Sequence, residues 1–134
     1  MKIMKHVTWL IDAARRATTE DQILDKKYDI DSSCGINPFD ENVIKRAFEI
    51  NLQEEQIEEY LNGLDLDALL KLEAMMYFGR DGGTFEETEQ YFVELDEDKE
   101  EIIRTIIEKR SAYPYYFERA ISRFKSNGIN VENM

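Results

Sequence analysis

The stretch "LDLDALLKLEAMMYFGRDGG", Leu64 to Gly83, constrains the fold more than any other part of the chain. From Leu66 to Phe78 the apolar residues are Leu66, Ala68, Leu69, Leu70, Leu72, Ala74, Met75, Met76, Tyr77 and Phe78. On a helix these positions cover most of the circumference, and a helix apolar all round has to be enclosed by others. The segment is therefore predicted to be the central helix of an all-α, compact bundle of five to seven helices. Met75 and Met76 read as adaptable core filler rather than as a cofactor box. Gly79-Arg80-Asp81-Gly82-Gly83 then ends the run. Gly79 is expected as the C-cap, Gly82-Gly83 as the bend, and Arg80 as a surface cation reaching a neighbouring acid.

The flanking pattern supplies the enclosing helices. Ile3, Val7, Leu10, Ile11 and Ala14 recur at steps of three and four, with Arg15 and Arg16 placed where positive charge complements a helix C-terminus. Periodicity fades after Ala17, so a long irregular connection is expected over about residues 17–38, inside a single domain spanning 1–134. Asn37-Pro38 or Asp40 can open the next helix, whose apolar face is Val43, Ile44, Ala47 and Phe48. Asn51 with Glu54 resembles a new cap, so this region reads as two helices or as one long helix with a kink, and two are preferred. Thr84 with Glu87 forms a capping-box pattern, with Phe85, Thr88, Tyr91, Phe92 and Leu95 facing inward. Asp96 or Asp98 caps a further helix that packs Ile102, Ile103, Ile106 and Ile107. A last helix has Pro114 near its start, Phe117, Ala120, Ile121 and Phe124 on one face, and Asn127-Gly128 at its close.

The 134 residues carry a net charge of −12, from 29 acids and 17 bases. Residues 41–101 alone hold nineteen acids against five bases. Such a surface repels phosphate backbones at long range, so no direct nucleic-acid contact is expected unless the basic end forms a local patch, and basic partners are favoured; acids that simply keep a small protein soluble are the plainer reading. No membrane partner is expected either, because the apolar N-terminal run is broken by Asp12 and is short of a span. The single cysteine, Cys34, suits a reducing compartment, and cytoplasm is the expected location.

Familiar catalytic patterns fail on chemistry. The glycine cluster follows a helix, lacks a Walker lysine, and precedes Glu86, Glu87 and Glu89, which would repel an anion from the next helix start. Cys34 and His6 are a lone thiol and a lone histidine, too few for a nucleophile with its base and its orienting group, or for zinc. Asp29, Asp31, Ser33 and Asp40 fall near the spacing of a calcium loop, but the required glycine comes one residue late, at Gly35. No catalytic residue, cofactor or metal is assigned on these grounds.

"LEAMMYFGRDGG", preceded by "IEEYLNGLD" and followed by "AYPYYFERAISRF", resembles the bacterial domain of unknown function 3775 family over about residues 57–126. In that family a helix ending aliphatic-aromatic-Leu-Gly-Arg-Gly-Asp precedes a helix and a Pro-containing C-terminal segment. Here Tyr77-Phe78 stands for Trp-Leu, Arg80-Asp81-Gly82 inverts the Gly-Asp order, and residues 17–40 have no counterpart. The resemblance implies a small helical bacterial or phage protein and transfers no catalytic residue.

Candidate interaction residues come from two features. Tyr113, Tyr115 and Tyr116 cluster around Pro114; core packing, with rings buried and hydroxyls wet, is the first reading, and an interface core, where amphipathic rings of this kind are common, is the second. Arg80 and the acids Glu54, Glu58 and Glu97 mark the charged middle. Arg119, Arg123 and Lys125 on the last helix can lie across that acidic segment, in the same chain or in a second copy. The expected function is a small non-enzymatic interaction or regulatory protein, binding a protein partner or itself as a homodimer. The alternative is an acidic inhibitor or immunity protein that mimics nucleic acid and blocks a basic channel, and an enzyme built on Arg80, Asp81 and nearby acids is the third class.

Overall fold

The computed structural model describes residues 3–27 and 41–131. Six helices form there: α1 (Ile3–Lys27), α2 (Glu41–Asn62), α3 (Leu66–Asp81), α4 (Phe85–Leu95), α5 (Lys99–Glu108) and α6 (Tyr113–Ser126). No strand occurs among the described residues, and the fold is the expected all-α bundle. α3 is its axis. It packs most extensively on α6, then on α4, α5 and α1, while α1–α2, α1–α6 and α2–α5 contacts complete the enclosure. Leu69, Leu72, Met75, Met76 and Phe78 of α3 are buried, together with Ile3, Val7 and Leu10 of α1, Ile57 and Leu61 of α2, Ile102 and Ile106 of α5, and Phe117 and Phe124 of α6. Each such side chain contributes about 1.5–3 kcal/mol on leaving water. Among the described residues no helix is long and apolar enough to cross a membrane.

Side-chain caps start three of the helices. Asp65 accepts from the Ala68 amide at 2.8 Å, Thr84 from Glu87 at 3.2 Å and Asp98 from Glu101 at 2.9 Å. Of the two aspartates expected to open α5, Asp98 does so. Asp96 takes the left-handed conformation at φ 51° and ends α4 instead. At the other end of the bundle Lys99 donates to the Asn62 carbonyl at 2.6 Å, placing a cation at the negative end of α2.

Several expectations are corrected. α1 does not stop near residue 16 but runs to Lys27, so Arg15 and Arg16 lie within it, and Arg15 pairs with Glu118 of α6. No glycine or proline interrupts Ala17–Lys27, and once α1 is nucleated each further residue adds a backbone bond at little cost. Residues 28–38 of the expected connection, with Cys34, Asp29, Asp31, Ser33 and the helix openers Asn37, Pro38 and Asp40, lie outside the described residues. α2 passes unbroken through Asn51. An interior asparagine costs under about 1 kcal/mol, less than exposing the amides and carbonyls of two extra helix ends.

The turn after α3 divides differently from the expectation. Gly82 and Gly83, at φ 81° and 80°, do make the bend, and the Gly82 amide donates to the Phe78 carbonyl at 2.9 Å. Gly79 is not the cap. It lies inside α3, where a Cβ would come within 2.7 Å of the Tyr116 carbonyl carbon and 3.0 Å of the Ala120 nitrogen. Its missing side chain lets the backbones of α3 and α6 touch.

α4 also differs. Only Phe92 is fully buried, while Tyr91, Val93 and Leu95 are exposed, because α4 packs chiefly on α3 and, among the described residues, no second helix covers its outer face.

Tyr113 is a structural anchor. Its ring is buried and its hydroxyl donates to the Leu10 carbonyl at 2.8 Å, tying α6 to α1. Burial raises its pKa well above that of a free phenol, so the hydroxyl stays a donor. Tyr113→Phe is expected to lower stability by about 1 kcal/mol in urea denaturation while leaving the helical circular dichroism unchanged.

Candidate functional site

The residue that stands out chemically is Glu73. It sits midway along α3, with Leu70 and Leu69 three and four positions before it and Met76 and Tyr77 three and four after, all on its side of the helix. Its exposure is 0%, and neither carboxyl oxygen has a hydrogen-bond partner among the described residues. Burial, and then the nearby Glu97 carboxylate, raise its pKa from 4.5 to about 8. Two carboxylates are both acceptors and bond to each other only through a proton. At neutral pH Glu73 is therefore the protonated member of a carboxyl pair.

This pair lies in a pocket of about 390 Å³ between α3, α4 and α5, lined by Glu73, Tyr77, Arg80, Asp81, Tyr91, Phe92, Leu95, Glu97 and Thr105. The volume is in the range of small-ligand sites, roughly 300–1,000 Å³. A second hollow of about 250 Å³ shares Tyr77, Asp81, Tyr91 and Phe92 and continues past Glu87 and Thr88.

Tyr77 and Phe92 stand 5.0 Å apart between ring centres, and Tyr91 meets Phe92 edge-on at 5.1 Å. Arg80 is already matched. It donates to Asp81 through Nε at 2.9 Å and Nη2 at 3.2 Å, and its guanidinium lies 4.7 Å from the Tyr77 ring centre. Burial raises the Tyr77 phenol, with Arg80 opposing and Glu73 and Glu97 adding to the rise. The pocket thus combines aromatic walls with more acid than base, which is chemistry suited to an organic cation. Among the described residues no group of three or more His, Cys, Asp or Glu is arranged to hold a metal ion.

The residues singled out from sequence are distributed unevenly. Arg80 and Glu97 line this pocket, and Arg80 reaches a neighbouring acid as expected. The tyrosine cluster separates. Tyr113 is core, Tyr116 is half-buried with its backbone against Gly79, and only Tyr115 is exposed, with Arg119 5.5 Å from its ring centre. Arg123 covers the Gly82 turn and lies 5.9 Å from the Phe78 ring centre.

Glu54 reaches Arg110 at 3.8 Å. Glu58 lines a different groove, of about 410 Å³, between α2 and α5, with Glu100, Arg104 and Glu108 on its rim. That groove is as large as the Glu73 pocket but holds no buried, unpartnered group. His6, set aside as a catalytic base, is tied instead to Tyr60, with Nδ1 2.7 Å from the phenol oxygen, and Tyr60 stacks on Trp9 at 3.8 Å.

Sequence reasoning missed Glu73, although a signal for it exists: it is an acid whose neighbours at three and four positions on either side are all apolar.

Comparison with family models, with curated proteins and with solved structures finds no match to this chain. The resemblance over residues 57–126 rests on the motifs quoted above.

Proposed function

We propose that this chain is a protein-interaction domain whose pocket between α3, α4 and α5 receives a basic side chain from a protein partner. The observation that carries this reading is Glu73: fully buried, with no partner but a second carboxyl, and lining a pocket walled by tyrosines. An unpaired polar group costs stability, and leucine or methionine in its place would pack at no such cost. A cation docked from a partner gives that carboxyl a use. The surplus of acids over residues 41–101 favours approach of a basic segment.

Titrating the isotope-labelled protein with a lysine-rich peptide tests the reading. Amide shifts are expected to centre on Tyr77, Tyr91 and Glu97, and binding is expected to weaken as salt shortens the screening length below about 10 Å. Shifts centred on Tyr115 and Arg119, or no shifts at low salt, contradict it.

A further inference from the structure

We infer that the Glu73–Glu97 pair binds a primary ammonium, that of a lysine on a protein partner, by exchanging it for the proton the two carboxyls share. This rests on the docking reading above and adds the chemical class of the occupant and its regulation.

The charge balance of the pocket selects the exchange. Asp81 is spent on Arg80, which holds it through two hydrogen bonds. Apart from the proton it shares with Glu73, Glu97 has no hydrogen bond or ion pair among the described residues, and Glu73 has no water exposure and no partner but Glu97. With one proton the pair carries a single negative charge, and without it two. A cation seated over the pair stabilises the second charge and removes the need for the proton. In the step itself the Glu73 O–H bond breaks, its electron pair stays on the carboxylate, the proton passes to solvent, and the ammonium N–H groups donate to the two carboxylates.

The groups facing Glu73 from each lining element agree with this. α3 contributes Tyr77, Arg80 and Asp81, α4 contributes Tyr91, and the turn before α5 contributes Glu97. α5 contributes Thr105, whose hydroxyl donates to the Glu101 carbonyl at 3.0 Å and so keeps its oxygen free to accept. Arg80 is the only cation in the lining.

An ammonium fits this arrangement better than a guanidinium. Its three donors diverge from one point and serve two separate carboxyls, whereas the planar fork of arginine matches one carboxylate edge-on, as Arg80 already does with Asp81. Tyr77, Tyr91, Phe92 and Leu95 provide apolar walls for the lysine stem.

The test is an NMR titration of the full chain at pH 6, 7 and 8 with end-blocked Gly-Lys-Gly, end-blocked Gly-Arg-Gly and free 1,5-diaminopentane. The lysine peptide is expected to bind more tightly by up to about tenfold per pH unit as one proton is displaced, levelling off near pH 8. Glu73→Gln, which mimics the protonated acid and keeps its shape, is expected to hold the weak low-pH affinity at every pH. Glu97→Gln, at a half-buried position in the turn before α5, is expected to weaken lysine binding and serves if the first variant fails to fold.

Lysine binding that does not change with pH overturns the exchange while leaving the docking reading intact. No shift in the pocket with any of the three probes overturns both. Preference for the arginine peptide overturns the ammonium assignment, and tighter binding of the diamine than of the lysine peptide overturns the assignment to a partner's lysine.

Discussion

Gly79→Ala is expected to destabilise the protein by about 3 kcal/mol or more, enough to unfold a marginal domain. Two effects oppose each other at this position. Alanine is the better helix former, and in an open helix the change would stabilise by about 0.5–1 kcal/mol. Here the new methyl meets backbone rather than a flexible side chain: the Tyr116 carbonyl carbon at 2.7 Å, with its oxygen nearer still, and the Ala120 nitrogen at 3.0 Å. Neither can rotate away, so α3 and α6 must separate along the most extensive helix contact in the fold.

Gly83→Ala is the matched control. It has a positive φ but nothing within 4 Å of the added carbon, so it should cost only the left-handed strain of about 1–2 kcal/mol. Urea denaturation of both variants settles the matter, since a Gly79→Ala cost no larger than that of Gly83→Ala is incompatible with backbone contact at Gly79.

Glu73→Gln is expected to change how stability depends on pH. The folded state holds the Glu73 proton up to about pH 8, whereas the unfolded chain releases it near 4.5. Between those values the native state binds more protons than the unfolded state, so stability falls as pH rises, by up to about 1.4 kcal/mol per pH unit from this group. Below 4.5 the group contributes no slope, and above 8 the full loss has been reached. Glutamine carries no titrating proton and removes this slope. Urea midpoints measured from pH 5 to 9 should therefore show the variant gaining on the wild type through the window and holding a constant lead above it. Parallel curves would mean that Glu73 ionises in the fold as it does in water.

Much of the architecture was legible in the sequence because it depends on local pattern. The apolar circumference of Leu66–Phe78 has no stable solution except enclosure, and the stripe of Ile3, Val7, Leu10 and Ile11 meets it through burial. Asp98 and Thr84 were readable as caps because a side-chain oxygen three residues before a free amide has one obvious use. Gly79 was misread because a glycine ending an apolar run looks the same whether it stops the helix or admits a neighbouring backbone. Only the crossing of α6, contributed by residues about forty positions later, decides between them. The continuation of α1 to Lys27 was hidden for a different reason: Thr18, Thr19, Glu20 and Asp21 break the periodicity without breaking the helix.

The pocket was half visible. Glu73 could have been found from its apolar neighbours, and Arg80 with Asp81 was already marked as the best polar group. That Glu97, Tyr91 and Thr105 converge on it depends on how α4 and α5 fold back over α3, and no spacing in the chain encodes that angle. The tyrosine cluster divides for the converse reason. Adjacent positions on a helix point in different directions, so Tyr113 enters the core while Tyr115 faces solvent.

The protonation of Glu73 underlies both the docking reading and the exchange, and a carbon-detected NMR titration of its side-chain carboxyl in the folded protein observes it directly. A midpoint near pH 8 is the expected result. A Glu73 midpoint near 4.5, with no response in the alkaline range, would contradict the shared proton and everything built on it.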